Sequence, residues 1–287
     1  MSARRANARR ASEPLNLRAI EALVRKDLGV VVRTPAVLIP LAIVPAIIYV
    51  VLPIAMIIAA RVGGPMIANE LAELERLFAA LPDALRTELE GMEPAARMVT
   101  LMLGYLIAPL YLIVPLMVAS VVAADAFAGE KERGTLEALL HAPLRERDLF
   151  LGKLLAAWLP AVAIGVLGTA LYAAIVTVAA WPLVGGPFLP AGVWIPLALW
   201  VGPAVALAGL GATVLISARV GTFQEAYQLG GVVVIPIVAL VVAQAAGVVV
   251  LDVRLLTLVG AVLWLLDAVL LVVAFRGFSR ERLTREL

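Results

Sequence analysis

Residues 98–124, MVTLMLGYLIAPLYLIVPLMVASVVAA, contain no charged side chain. A helix of about 20 apolar residues is long enough to cross the hydrocarbon core of a bilayer. Five further stretches of similar length and apolarity lie at about 35–60, 149–181, 193–217, 228–250 and 255–275. Because each stretch has the length of a spanning helix, the sequence predicts an all-α polytopic membrane protein with six transmembrane helices.

The composition of the whole chain agrees with a membrane protein. Of its 287 residues, 63% are hydrophobic, whereas soluble domains have about 45–50%. The mean hydropathy is +1.03. The net charge of +2 is too small to indicate a nucleic-acid partner. With no cysteine and a single histidine, His141, thiolate and multi-histidine sites are excluded, so we predict neither a metal site nor a catalytic site.

Lysine and arginine are distributed unequally along the chain. With six spans, 18 of these 23 residues fall on the side that carries the leader, the 125–153 and 217–226 connections and the tail. The positive-inside rule places that side, and therefore both termini, in the cytoplasm. We expect the protein in the plasma membrane, the inner membrane of a prokaryotic cell.

The regions outside the spans are short. In the leader, apolar residues recur at helical spacing from Leu17 to Val31, which indicates an amphipathic interfacial helix or, alternatively, a basic flank of the first span. The outer segment 62–97 predicts a helical hairpin broken at Pro82, either a solvated cap or a lid over an exit path. The chain thus divides into a cytoplasmic leader with the interfacial helix at 1–34, a six-helix transmembrane domain at 35–276 and a cytoplasmic tail at 277–287.

The connection after the second span, 125–148, has the pattern of a short amphipathic helix. Thr135 is a favourable N-cap, Glu137 lies in the first turn, and Pro143 ends the helix. One side of this helix carries Leu136, Leu139 and Leu140. A helix of two turns is not stable alone in water, so its leucine side must contact the bundle or a separate protein.

The same connection closely resembles a segment of type-2 ABC exporter permeases. The resemblance is carried by Glu130-Lys-Glu132-Arg133-Gly134-Thr135-Leu136-Glu137, by Leu139-Leu140 and Pro143-Leu144, and by Leu151-Gly152-Lys153 with Pro160. It extends to Lys26-Asp27, to Arg33-Thr-Pro35 and to residues 219–226, which include Gln224 and Glu225. Arg145 departs from the pattern, since many members have serine after the Pro-Leu pair. In topology the resemblance covers nearly the whole chain.

The resemblance implies how the chain is driven. Residues 134–144 would be a coupling helix that docks into a groove of an ATP-binding subunit, and 219–226 would be a second, smaller contact. The ATPase-coupling interface would then comprise Glu130, Glu132, Arg133, Gly134, Thr135, Leu136, Glu137, Leu139, Leu140, Pro143, Gln224 and Glu225. The function it implies is that of the membrane-spanning permease subunit of an ATP-binding cassette exporter, which works by alternating access.

The chain lacks the parts needed to use ATP itself. It contains no Gly-x-x-x-x-Gly-Lys-Ser/Thr motif, the loop that cradles nucleotide phosphates. We therefore expect no enzymatic activity in this chain, and ATP and Mg²⁺ on a partner subunit. Six spans would be half of a membrane unit, completed by a second copy or a homologous permease. Sodium, drug, peptide and lipid exporters share these motifs, so the motifs leave the substrate class open.

Two polar residues fall within predicted spans. Asp267 lies in the sixth, where a charged side chain costs about 2.5–3.5 kcal/mol, so it must face the bundle. Gln244 in the fifth is a possible companion. Together they predict a possible intramembrane polar site, and each is otherwise a structural hydrogen-bonding group. The alternative functions are an ion-coupled secondary transporter, which predicts broken polar helices and repeats, and a polytopic membrane enzyme, which needs clustered acids or histidines.

Overall fold

The structure, a computed structural model, describes residues 15–62, 83–135, 145–185 and 192–277. In these ranges every regular element is helical. The helices are α1 (Leu17–Arg33), α2 (Pro35–Val62), α3 (Asp83–Glu90), α4 (Ala95–Glu132), α5 (Glu146–Val184), α6 (Trp194–Ser217), α7 (Phe223–Ala245) and α8 (Val253–Gly277). Six of them, α2 and α4 to α8, are long and apolar enough to cross a membrane, which confirms the predicted fold class and the number of spans.

Two helices form the centre of the bundle. In their most apolar stretches, 83% of α4 and 72% of α6 are buried, against 17% in each of α7 and α8. The outer helices direct large apolar side chains away from the protein, such as Leu167 at 69% exposure and Leu265 at 71%. Such apolar surfaces favour contact with lipid over water, and a helix can enter lipid because its backbone is hydrogen-bonded within itself.

Helix α4 is interrupted near its middle, and neighbouring helices satisfy the freed backbone. A π-helical segment, Thr100–Leu106, is followed by the 3-10 turn Ala108–Leu112. Pro109 has no N–H to donate to the carbonyl of Tyr105, four residues earlier. That carbonyl instead accepts from Gln244 Nε2 of α7 at 2.7 Å. Leu103 and Gly104 likewise accept from Tyr172 of α5 and Trp194 of α6.

Helices α4 and α5 are longer than a bilayer requires. α5 has 39 residues, which at 1.5 Å each is about 58 Å, roughly twice the thickness of the hydrocarbon core. Part of each helix must therefore lie outside the core. The end of α4 and the start of α5 lie together, and α1 packs against them. A Cβ atom at Gly152 of α5 would lie 2.9 Å from Cβ of Leu23, so the glycine allows α1 to approach closely.

Helix α1 spans Leu17–Arg33, and its buried residues follow the helical repeat. Ile20, Leu23, Asp27 and Val31 are buried, against a bundle that includes α5. Asn16 caps the helix by accepting from Ala19 N at 3.2 Å. The location of α1 on a membrane surface stays a prediction. Of the predicted outer hairpin, residues 63–82, including Pro82, lie outside the described residues.

Candidate functional site

The polar end of α4 is the site that the sequence motif predicts. The helix passes through a π turn at Asp125–Gly129 and a final turn at Glu130–Glu132. Gly134, with φ +67°, ends it, and this left-handed conformation is one that glycine adopts without steric cost. The hydroxyl of Thr135 donates back to the carbonyl of Glu130 at 3.3 Å.

Glu130 binds two lysines from other helices. Its Oε1 lies 2.6 Å from Nζ of Lys26 in α1, and its Oε2 lies 2.5 Å from Nζ of Lys153 in α5. Lys153 has 0% exposure. It also donates to the carbonyl of Ala126 and lies 5.3 Å from the centre of the Phe127 ring. One carboxylate thus joins three helices, and a buried cation depends on it.

Asp27 lies beside this pair and is only partly satisfied. Its Oδ1 is 3.2 Å from Nζ of Lys26, while its buried Oδ2 has no hydrogen-bond partner among the described residues. Burial, the largest effect, raises the pKa of Asp27, although the charges of Lys153 and Lys26 oppose it. Burial also acts to lower the pKa of Lys26, but the hydrogen bond to Glu130 and the nearby carboxylates outweigh this, so the pKa is raised.

Arg133 closes the end of α4 on itself. Its Nη1 lies 2.8 Å from Oδ1 of Asp125, and its Nη2 donates to the carbonyl of the same residue at 3.4 Å. Asp125 and Arg133 line a narrow crevice together with Asp27, Val30, Val31, Val122, Ala126 and Glu130. The ion pair therefore holds the final turns of α4 where they meet α1.

Lys131 and Glu132 reach the connection between α6 and α7. Nζ of Lys131 donates to the carbonyl of Val220 at 3.4 Å, and the backbone N–H of Phe223 donates to Oε2 of Glu132 at 2.9 Å. Phe223 is the first residue of α7, where N–H groups lack helical partners and a negative charge is favourable. Glu132 therefore caps α7 from another helix.

Helix α7 also has its own cap. Thr222 Oγ1 accepts from Glu225 N at 3.3 Å, and Glu225 Oε2 accepts from Gly221 N at 3.2 Å. This reciprocal arrangement is close to a capping box. Gln224 is exposed. Glu225 therefore acts within its own chain at the start of α7.

We call the group around Glu130–Arg133 the charged junction, comprising Lys26, Asp27, Asp125, Glu130, Lys131, Glu132, Arg133 and Lys153 with the backbone of Val220 and Phe223. The structure brings predicted residues Glu130, Glu132, Arg133, Gly134 and Thr135 together here, with Gln224 and Glu225 adjacent. Leu136, Glu137, Leu139, Leu140 and Pro143 lie outside the described residues. Their coupling function stays a prediction, as does the N-cap function of Thr135.

Lys26, Asp27 and Lys153 belong to the sequence pattern, but the pattern alone predicts no function for them. Asp27 carries a signal that was available: it interrupts the apolar side of α1 between Leu23 and Val31. An acid at such a position needs a partner inside the protein. Lys153 lies at the start of an apolar span, which is a second such signal.

The two intramembrane residues are buried but have different surroundings. Asp267 has 1% exposure, and neither of its carboxylate oxygens has a hydrogen-bond partner among the described residues. Gln244 donates to Tyr105 and so ties α7 to the interruption in α4. No hydrogen bond between Gln244 and Asp267 is found in the described part of the chain. A shared polar site stays a prediction.

The fold and the charged junction define the class: a helical membrane protein with six candidate spans, in which the end of α4 meets the connection between α6 and α7. A model of the ABC-2 family transporter protein matches residues 21–258, and the chain belongs to this family. It is the membrane permease component of an ABC transporter and not itself the ATPase. In general such permeases act with an ATP-binding subunit in a dimeric arrangement. No curated protein matches the chain.

Proposed function

We propose that the chain is half of an exporter permease. In this proposal the charged junction transmits movement of the ATP-binding subunit to the transmembrane helices. The observation that carries this proposal is that four consecutive residues, Glu130 to Arg133, contact different parts of the bundle. Glu130 binds α1 and α5, Lys131 and Glu132 bind the α6–α7 connection, and Arg133 binds α4 itself. A displacement of the chain that follows Arg133 would therefore be passed to several helices at once.

The proposed input lies directly after this junction. Residues 134–144 would dock into a groove of the ATP-binding subunit through the side that carries Leu136 and Leu140. ATP and Mg²⁺ would bind to that subunit, and its closure would push on the segment. Two copies of this chain, or one copy and a homologous permease, would then alternate between inward and outward access. Such a change requires the two states to bind the substrate differently.

The proposed orientation places the charged junction in the cytoplasm of a prokaryotic cell. The excess of Lys and Arg on this side supports it under the positive-inside rule. Since the chain contains no cysteine, Glu137→Cys and Asp252→Cys each provide a single labelling site on opposite sides. A membrane-impermeant maleimide should label position 252 in intact cells, and position 137 only after permeabilisation. Labelling of position 137 from outside would overturn the orientation.

An ion-coupled secondary transporter is the second candidate, and the described residues support it less. A transporter of that kind binds its substrate near the middle of the membrane with polar groups at broken helices. Here the carbonyls exposed at the interruption of α4 are occupied by Tyr172, Trp194 and Gln244. The polar side chains there are used for packing, whereas the charged junction is built around ion pairs between helices.

The test is whether an ATP-binding subunit binds through residues 134–144. We expect the subunit encoded beside this gene to copurify with the chain in detergent and to show vanadate-sensitive ATPase activity. The double variant Leu136→Ala/Leu140→Ala should weaken this association by about tenfold or more, since each change removes apolar surface that the interface would bury. Its melting temperature should not change, because the leucines would face the partner.

The matched control is Leu17→Ala, since Leu17 is 73% exposed at the start of α1. It should leave both association and ATPase activity unchanged. Full association of the Leu136→Ala/Leu140→Ala variant would show that the ATP-binding subunit docks on another part of the chain. Transport by the purified chain with no ATPase present would overturn the proposal altogether.

A further inference from the structure

Two connections that are distant in sequence meet at the end of α4. Ala124 and Ala128 of α4 and Ala226 of α7 are all fully buried and form one apolar cluster, with Val220, Phe223 and Tyr227 packed around it. Alanine side chains permit close approach of two helices, which is how helices associate in membranes. The start of α7 is therefore packed directly on α4.

Polar contacts reinforce this packing on its outer side. Lys131 donates to the carbonyl of Val220, and Glu132 accepts from the N–H of Phe223. A charged acceptor on an amide forms one of the stronger protein hydrogen bonds. The α6–α7 connection is thus held to α4 by an apolar cluster and by two side chains of the 130–133 motif.

The packed part of α7 ends at a change in helical geometry. The helix Phe223–Gly230 is followed by the 3-10 turn Gly231–Val234 and then by Ile235–Ala245. Pro236 cannot donate to the carbonyl four residues earlier, which accounts for a break at this point. Short 3-10 stretches inside helices often mark hinges. The stretch Gly231–Val234 is therefore the natural boundary between the start of α7 and its membrane part.

We propose that the end of α4, the α6–α7 connection and Phe223–Gly230 move as a single body during the transport cycle. This inference rests on the proposed function and adds how movement of the ATP-binding subunit would reach α7. An ATP-binding subunit that displaces the end of α4 would displace the start of α7 equally, and α7 would bend at Gly231–Val234. Each chain would then offer its partner one docking body instead of two independent contacts.

The test uses cysteine pairs, which are free of background because the chain has no cysteine. Ala128→Cys/Ala226→Cys places a pair inside the proposed body. We expect the same disulfide yield in the nucleotide-free complex and in the complex trapped with Mg-ATP and vanadate. A disulfide between groups that stay together in both states does not change the equilibrium between those states. ATPase activity should therefore remain within about twofold of that of the reduced form.

Two further pairs keep the test interpretable. Glu132→Cys/Phe223→Cys, joined by a short bismethanethiosulfonate reagent, serves if the buried pair impairs folding. Gly211→Cys/Leu270→Cys is the control for correct assembly, because a Cβ atom at Gly211 would lie 3.4 Å from that of Leu270, close to disulfide geometry. It should form its disulfide between α6 and α8 in the purified chain without any partner.

The opposite result is a disulfide at 128 and 226 that forms in only one nucleotide state, or one that stops ATP hydrolysis until a reductant is added. Either would show that the two connections move relative to each other and would overturn the single body. Failure of the proposed function is distinguishable, because it would appear as the absence of any copurifying ATPase while the pairs still cross-link in the permease alone.

Discussion

Glu130 and Asp267 are two acids with nearly the same burial and opposite surroundings. Glu130 is 5% exposed and binds Lys26 and Lys153, whereas Asp267 is 1% exposed and has no hydrogen-bond partner among the described residues. A buried charge is tolerated when it is paired, and a buried acid without a partner is tolerated when it is neutral. The two acids differ in what the packing supplies: Glu130 is placed between two cations, whereas packing gives Asp267 no hydrogen-bond donor among the described residues.

The largest effect is expected from removing the charge of Glu130. Glu130→Gln keeps the shape but removes the carboxylate that forms an ion pair with the buried ammonium of Lys153. Breaking a buried pair in this way costs about 3–5 kcal/mol. The free energy of unfolding, from SDS titration in mixed micelles, should fall by that amount. If it fell by less than about 1 kcal/mol, the typical effect of an ordinary point mutation, the pairing would not be required.

Two controls sharpen this result. Glu21→Gln removes an exposed partner of Arg25, and such pairs contribute only about 0.5 kcal/mol. The double variant Glu130→Gln/Lys153→Met removes both charges, so its loss should be well below the sum of the two single losses. The difference measures the coupling between the pair, expected within about 0.5–3 kcal/mol.

The next effect concerns Gln244, predicted as a companion of Asp267 but found on Tyr105. Gln244→Leu removes the side-chain hydrogen bond from α7 to the carbonyl of Tyr105. Losing a hydrogen bond of this kind costs about 0.5–1.5 kcal/mol, and the same SDS titration should show it. Gln228→Leu, on an exposed position of α7, is the matched control and should change little. Equal losses for both variants would contradict the packing function of Gln244.

A smaller effect should appear as a dependence on pH at Asp27. Burial raises the pKa of Asp27 above its usual 3.8, so the folded chain binds the proton more tightly than the unfolded chain. Stability therefore falls as the pH rises from about 4 through the folded pKa. Asp27→Asn removes this loss, so its stability relative to the natural chain should increase with pH. Parallel stability curves from pH 4 to 7 would contradict the raised pKa.

The smallest effect is expected at Asp267. Asn has the shape of the neutral acid, so Asp267→Asn should change the free energy of unfolding by no more than about 0.5 kcal/mol. The corresponding amide replacement at Glu130 is expected to have several times that effect. A large loss at Asp267 would reveal a donor that binds its carboxylate, and would restore it as part of a polar site.

Much of the fold could be predicted because the length and apolarity of a stretch decide by themselves whether it can form a helix that spans a membrane. Each of the six apolar stretches lies on a helix, with ends that differ by up to eight residues, as for the predicted stretch 98–124 and the helix Ala95–Glu132. The position of Gly134 in the motif also has a local reason, since its φ is +67°. These features depend on one residue or one stretch, so no contact with distant parts of the chain is needed to infer them.

The partners in the charged junction could not be predicted in the same way. Lys26 is 104 residues from Glu130, and Val220 is 89 residues from Lys131. Which side chains meet depends on how α1, α5 and the start of α7 pack around α4, and several basic residues on this side had the right charge. The contact at the interruption of α4 could not be predicted either. Pro109 indicates that the carbonyl of Tyr105 lacks its usual helical donor, but not that Gln244 binds this carbonyl.

The sequence by itself determined that this chain spans a membrane six times and has a polar motif after its second span, since both follow from local hydropathy and turn chemistry. Only the tertiary structure decided that Glu130 is buried between two lysines, that Glu132 caps α7, and that Asp267 and Gln244 share no hydrogen bond. The physical reason is that burial and pairing belong to the packed arrangement of helices, whereas the tendency to form a spanning helix belongs to each stretch alone.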